Sequence, residues 1–439
     1  MQESGAAERP QTPGPGEIAG RAGVPPVASA SAFARTFRTL RHRNFRLYLG
    51  GLVVSLAGTW MQTVAQSWLV YRLTRSEWLM GATWFCIQAP VLALGPLGGI
   101  VSDRYSRLKI VRITQVLSML QAFALAALTL SGRVEPWHIL SLGGVLGAIN
   151  AFDMPARNAL IIHLTGKDEL LSAISLNSTV FNAARVVGPA LAGLLVAAVG
   201  EGWCFLLNGV SFLAVIGSLL AIRLDPVRPA VQPASTWTSL ADGFRYAGRN
   251  PALRPLLTLM ALTTLANMPL LVLIPFFAGD IFGRGSEGLG TLMAAMGGGA
   301  MVGVLALASR DRIDGLPRLT GLSALALGAG YLAFSVAPSY WVALVLMPAI
   351  GFSLMRMMAS ANTLIQSVVE EGYRGRVMAM YTMTVVGLGP FGSLAAGALA
   401  GWTGPRAVVA AGGLLCIVAA MTLRAKASAI SDELTRKAA

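Results

Sequence analysis

Residues 78–109 read WLMGATWFCIQAPVLALGPLGGIVSDRYSRLK. From Trp78 to Val101 no residue carries a charge, and then Asp103, Arg104, Arg107 and Lys109 arrive together. An uncharged run of this length crosses the roughly 30 Å hydrocarbon core of a bilayer as one helix. Comparable runs stand at approximately 46–71, 110–131, 137–156, 173–199 and 203–222, and again at 255–278, 288–309, 317–336, 340–361, 377–401 and 406–423. Apolar and polar residues do not alternate at every second position in these runs, which excludes a transmembrane β-barrel. The composition agrees: 55% of the 439 residues are hydrophobic and 12% are charged. A soluble globular chain carries about 25% charged residues. The pattern predicts an all-α integral membrane protein with twelve transmembrane helices.

The formal net charge of +14 raises the question of a nucleic-acid partner, and its distribution argues against one. With the N-terminus placed in the cytoplasm, about 27 Lys and Arg fall on the inner side and about 5 on the outer, the sense of the positive-inside rule. Arg185 and Arg356 fall inside spans. The expected location is the cell inner membrane, multi-pass, with both termini cytoplasmic.

Residues 1–32 are rich in Pro, Gly and Ala and are expected to be disordered. From Phe33, apolar Phe33, Phe37 and Leu40 recur among Arg35, Arg38, Arg41 and Arg43, the pattern of a cationic amphipathic helix lying on an anionic leaflet. The next apolar run is a full span with no cleavage site, which argues against a secretory signal. An organellar transit peptide is the alternative reading of this basic stretch. Residues 33–222 then form an N-terminal six-helix half, 223–254 a cytoplasmic linker with a short surface helix around Leu240 and Phe244, 255–424 a C-terminal half, and 425–439 a cytoplasmic tail.

Cys86, Cys204 and Cys416 lie in or beside apolar spans without metal or redox spacing, and His42, His138 and His163 form no cluster. No nucleophilic triad, paired-carboxylate site or phosphate-cradling glycine loop stands out. The reading therefore carries no enzyme activity, catalytic residue, metal or cofactor.

The two sets of six spans echo each other. NALIIHL from Asn158 resembles NTLIQSV from Asn362, and Gly188-Pro189 is answered by Gly389-Pro390. Repetition in the same sense implies two pseudo-symmetric halves related by an axis along the membrane normal, an arrangement associated with alternating-access carriers.

GGIVSDRYSRLK at 98–109 resembles the signature loop of the major facilitator superfamily: Gly99, Asp103, Arg104, Arg107 and Lys109 match, and Ser106 replaces the usual glycine. The second-half loop ALASRDRIDGLPR is degenerate. Residues 150–193 carry FD-x-PAR and FN-x-AR-x-x-GPA-x-AG elements, and NTLIQ and GRVMAMY follow within 362–381. These are similar to the branch containing the enterobactin exporter and related drug-efflux or secretion carriers, and the resemblance extends over nearly all of 38–424. It implies the major facilitator fold and a gate at Gly99, Asp103, Arg104 and Arg107, with Asp103 facing the N-terminus of span 11 near Arg376 and Arg157 as a second partner. A helix N-terminus carries roughly +0.5 charge and favours an anion there. Gly188, Pro189 and Gly193 are close to the motif that accompanies exporters. The central arginine usual in span 4 is absent from mid-span.

Charges inside a membrane are costly and usually face a cavity. Asp153, Asn150 and Arg157 form one helical stripe; Asp153 is either a proton carrier or a structural pair with Arg157. Asn182 and Arg185 in span 5 and Arg356 in span 10 are candidate cargo contacts, because arginine keeps its charge and can hold an anion. Thr59, Gln62, Thr63 and Gln66 share a face of span 1, and span 7 offers Thr263 and Asn267. The resemblance implies that spans 1, 4, 7 and 10 line the path. The expected function is proton-coupled efflux of a small amphipathic molecule (siderophore, drug or metabolite). The expected partners are that small molecule, protons and membrane lipids, and the chain is expected to act as a monomer. Lysophospholipid movement without tight coupling, and a non-transporting scaffold or sensor, are the alternatives.

Overall fold

The computed structural model describes residues 39–166, 169–223, 237–310 and 315–438. The N-terminal tail, the basic stretch from Phe33 to Arg38, residues 224–236 of the linker and residues 311–314 of the second-half loop lie outside the described residues. Among the described residues, twelve helices of 20 residues or more follow one another. They are α1 (Arg43–Thr74), α2 (Glu77–Arg104), α3 (Arg107–Leu130), α4 (Pro136–Thr165), α5 (Leu170–Val199) and α6 (Glu201–Ala221), then α7 (Leu253–Phe276), α8 (Ser286–Ala308), α9 (Leu316–Ser335), α10 (Tyr340–Val368), α11 (Arg374–Thr403) and α12 (Pro405–Ala425).

Local chemistry sets the helix ends. Ser76 caps α2 by accepting from the Leu79 amide, and Ser339 caps α10 by accepting from Val342. Glu135 and His138 form a reciprocal capping box at the start of α4. Gly200 and Gly404 each link two helices through a single residue at φ 89° and 84°, a conformation that costs glycine nothing. The α5–α6 and α11–α12 turns are therefore built alike.

Eleven of the twelve helices are long and apolar enough by hydropathy to cross a membrane. The exception, α9, has its hydropathy lowered by Arg318, Thr320 and Ser323, yet Thr320 and Ser323 are buried. Thr320 Oγ1 donates to Ser360 Oγ of α10 at 2.8 Å, so these polar groups are met inside the bundle. Several helices outrun their apolar stretches. α4 continues from the predicted end at 156 to Thr165, and α7 runs on through a π turn, Phe277–Ile281.

Packing repeats with the sequence. In the first half α1 packs on α5 and α6, α4 on α2 and α3, and α3 on α6; adding six to every number gives pairs packed in the second half. The halves meet where α2 crosses α11 and where α5 crosses α8, two contacts that the repeat exchanges. Because successive helices alternate in direction, the linker, the start of α1 and the end of α12 share one face of the bundle, called here the linker face. The turns at Arg75, Gly200 and Gly404 lie on the far face. A further helix, Trp237–Arg249, docks on the start of α11: the Tyr246 ring stacks on Tyr373 at 4.1 Å, and its hydroxyl accepts from the Glu370 amide. Leu194, Leu220, Val345 and Met421 are among many large apolar side chains exposed on the outside of the bundle, as a lipid-facing surface requires.

Candidate functional site

Four polar residues of α1 point the same way. Thr59, Gln62, Thr63 and Gln66 line a cavity of about 120 Å³ between α1, α2, α3, α4 and α6, together with Thr83, Trp84, Gln121, Asn150 and Asn208. Thr59 and Thr63 return their hydroxyls to the carbonyls of Ser55 and Thr59 one turn back, which satisfies them within the helix. Gln62 needs partners from elsewhere and finds them: its Nε2 donates to Gln121 Oε1 at 3.2 Å, and its Oε1 accepts from Asn208 Nδ2 at 2.7 Å. Gln121 passes the chain on to the Leu142 carbonyl. Gln66 is 3% exposed, and its Nε2 has no hydrogen-bond partner among the described residues. A buried amide donor left unpaired costs about 1–3 kcal/mol, so this nitrogen is ready for an acceptor entering the cavity.

Below this network, towards the linker face, Asp153 is 4% exposed. Its Oδ1 accepts from Thr114 Oγ1 at 2.6 Å and Gln115 Nε2 at 3.0 Å, both on α3. Its Oδ2 accepts from Arg157 Nε at 2.8 Å and Nη2 at 2.5 Å, one turn on along α4. The carboxylate is thus fully engaged, and it fastens α3 to α4. Asn150, one turn earlier, lies in the cavity wall and not in this cluster.

Arg185 is placed differently. It lies halfway along α5, with its guanidinium 5.4 Å from the centre of the Trp60 ring of α1 and its Nη1 3.8 Å from Met355 Sδ of α10. No acidic side chain pairs with it among the described residues. Asn182 donates to the Ser178 carbonyl within α5. Arg356 lies over Phe352 at 4.6 Å and donates to Ser323 Oγ at 2.9 Å, inside the second half. Thr263 is buried and bonded to the Leu259 carbonyl, and Asn267 Oδ1 accepts from the Tyr331 hydroxyl at 2.6 Å. The α7 pair is therefore occupied by its own half.

The predicted gate residues stand apart. Asp103 and Arg104 are exposed at the linker-face end of α2, and among the described residues Asp103 forms no ion pair with Arg157 or Arg376. Arg107 contacts the His163 ring of α4 at 3.0 Å. Gly99 has open space around it. The halves are held together at the opposite face. A Cβ on Gly193 would stand 3.0 Å from the Gly290 Cα, and one on Gly81 would stand 3.1 Å from the Gly397 Cα, so two glycine-on-glycine crossings bring the backbones into contact. Pro189 adds its carbonyl to the first crossing, and Gly188 seats α5 against Trp60. Between the crossings the Tyr71 hydroxyl donates to Asp280 Oδ1 at 2.7 Å, and Arg75 pairs with the same oxygen. The π turn after α7 carries Asp280 over the end of α1.

Sequence reasoning missed Gln121, Asn208, Tyr71, Arg75 and Asp280. Gln121 and Asn208 sit in apolar spans that the family pattern does not assign to the path. Their signal was the cost of an amide in a membrane helix, which implies a buried partner. Asp280 follows the apolar run of α7 and reads as loop until the π turn is seen.

A family model described as transmembrane secretion effector matches residues 34–438. The staphyloferrin A transporter of Staphylococcus aureus is 24% identical, over 77% of this chain and 84% of its own length. The enterobactin exporter EntS of Shigella boydii is 25% identical, over 87% of this chain and 91% of its own length. Among solved structures, the crystal structure of the nucleoside transporter NupG superposes with a TM-score of 0.68, at 15% identity, over 88% of this chain and 98% of that one. That last likeness shows the fold. The chain belongs to the transmembrane secretion effector family and is a multi-pass membrane transporter of the major facilitator superfamily, not an enzyme.

Proposed function

We propose that this member of the transmembrane secretion effector family exports a small amphipathic molecule bearing an anionic group, by alternating access driven by protons. The observation that carries the reading is Arg185, a half-depth cation between the two halves with no acidic partner among the described residues. A guanidinium beside an aromatic face presents a fork of donors to a carboxylate or catecholate and an apolar wall to the rest of the molecule. The amide-lined cavity alongside, with the spare donor of Gln66, suits a neutral hydrogen-bonding portion of the same cargo. The names of the staphyloferrin A and enterobactin carriers are consistent with such cargo.

In this reading the linker face is cytoplasmic, as the distribution of Lys and Arg favours. The conformation described, joined at the far face and with Asp103 exposed and, among the described residues, unpaired at the linker-face end of α2, is the one that loads cargo from inside. Outward opening breaks the Tyr71–Arg75–Asp280 contacts and closes Asp103 towards α11. Asp153 is the coupling carboxylate: a proton taken up there displaces the bonds from Thr114, Gln115 and Arg157 and loosens α3 from α4.

Purified protein in liposomes with an imposed pH gradient, offered a panel of siderophores, anionic and neutral dyes and lysolipids, tests the whole. Gradient-driven flux of anionic cargo is expected. Arg185→Gln should raise KM for anionic cargo about tenfold or more while sparing neutral dyes, since a hydrogen bond to a charged group is worth about 1.5–3 kcal/mol. Asp153→Asn should abolish driven flux and spare counterflow. Flux indifferent to the gradient would reject coupling, and flux confined to lysolipids would favour lipid movement instead.

A further inference from the structure

On the linker face, the end of the Trp237–Arg249 helix, the start of α7 and the end of α12 border an open cavity of about 660 Å³. Its wall carries Arg249, Arg254 and Lys426 and no acidic residue. All three cations are exposed, and none forms an ion pair among the described residues. Three unneutralised cations around one concavity repel one another, and an anion held among them relieves that repulsion. The first amides of α7 are not the attraction, because Asn250 Oδ1 already accepts from Ala252 and Leu253.

A second feature identifies the anion's source. Along α12, Leu414, Val418 and Met421 are each more than half exposed and lie on one helical face. That face runs from the middle of the membrane to Thr422 and Ala425 in the cavity wall. An apolar stripe at acyl-chain depth thus ends on a cationic hollow at headgroup depth. We infer that this hollow is a binding site for the phosphate of an anionic phospholipid, with one acyl chain lying along Leu414, Val418 and Met421. Basic hollows between membrane helices at the headgroup level take such lipids. A headgroup there would tie the linker helix, which rests on α11 through Tyr246 and Tyr373, to α7 and α12.

Native mass spectrometry of the full-length protein, equilibrated with phosphatidylglycerol or phosphatidylcholine, tests the site. The wild type should retain phosphatidylglycerol preferentially. Each of Arg249→Gln, Arg254→Gln and Lys426→Gln should weaken that retention about fivefold, and the triple variant about a hundredfold, from the usual contribution of one cation near a membrane surface. Arg41→Gln, Arg46→Gln and Arg223→Gln together make the same charge change elsewhere on this face and should leave retention unchanged. Wild-type retention by the triple variant would overturn the inference. Displacement of phosphatidylglycerol by millimolar inorganic phosphate would also overturn it, by pointing to a soluble anion. Because a triple variant risks misfolding, Met421→Trp in otherwise intact protein gives an independent reading. Acyl-brominated phosphatidylglycerol should quench its added fluorescence more than brominated phosphatidylcholine, and equal quenching would reject the acyl-chain placement.

Discussion

The two halves share a backbone plan and differ in what they bury. Aligning NALIIHL at Asn158 with NTLIQSV at Asn362 sets Asp153 opposite Met357 and Arg157 opposite Ala361. The first half fixes α3 to α4 with a buried carboxylate that accepts two hydrogen bonds from α3 and two more from Arg157 of its own helix. The second half places a fully buried methionine and alanine at the matching positions. Likewise, the first half encloses an amide-lined cavity, whereas the core of the second is packed with Met260, Met296, Met347 and Met357. The fold accepts either solution, so the polar one is not demanded by packing. An apolar core of the same shape is usually at least as stable as a buried ion pair, and its retention in one half points to work done there.

The largest expected effect comes from damaging that work. Asp153→Ala leaves Arg157 buried without its partner and should destabilise the protein by about 3–5 kcal/mol, read as a fall in the unfolding temperature of purified protein. Importing the second half's residues, Asp153→Met with Arg157→Ala, should recover most of that loss. If the double variant is no better than the single one, the two halves are not interchangeable at this position.

The glycine crossings probe the symmetric part of the comparison. Gly193→Val and Gly397→Val occupy positions exchanged by the repeat, and a Cβ at either would meet backbone, at 3.0 and 2.5 Å respectively. Each should cost about 1–3 kcal/mol by overpacking and should bias the carrier towards far-face opening, measurable as increased labelling of a cysteine at Thr63 by a membrane-impermeant thiol reagent. Gly298→Ala, with open space around the new methyl, is the neutral control. Strongly unequal effects of the two valines would show that the crossings carry different loads.

Gln66→Leu makes the first half's cavity more like the second half. Removing an unpaired amide should change stability by less than about 1 kcal/mol while weakening cargo about tenfold, the worth of one lost hydrogen bond in a dry site. An unaltered KM would exclude the cavity from cargo binding. The smallest effects are expected at exposed charges. Asp280→Asn should shift the conformational balance about fivefold towards far-face opening, consistent with about 1 kcal/mol for a partly exposed ion pair. Asp103→Asn should slow turnover with little loss of cargo affinity, and a defect confined to affinity would contradict its assignment to the gate.

Much of this architecture was legible in the chain. Apolar runs give the helices, because a membrane leaves few alternatives, and the Asn158/Asn362 echo gives the repeat. The spacing of Thr59, Gln62, Thr63 and Gln66 already placed them on one face, and that face lines one cavity. The four-residue interval between Asp153 and Arg157 likewise gave their contact. What closes the network was not legible. Gln62 bonds residues 59 and 146 positions away, and nothing local to Gln121 or Asn208 marks them as its partners. The far-face clamp escaped for a different reason. A π turn is set by tertiary packing, and without it Asp280 has no reason to meet Tyr71.

Gly200 and Gly404 each reverse the chain in a single residue, and the other far-face connections between spans are only a few residues long. Their brevity limits how the molecule can be handled. A protease or an antibody approaching from that side meets almost no pliable chain, while cross-linkers and affinity reagents find exposed polar side chains such as Asp103, Arg104, Arg249 and Arg254 on the linker face. Immunogens and fiducial-binding partners for imaging are best raised against that opposite surface.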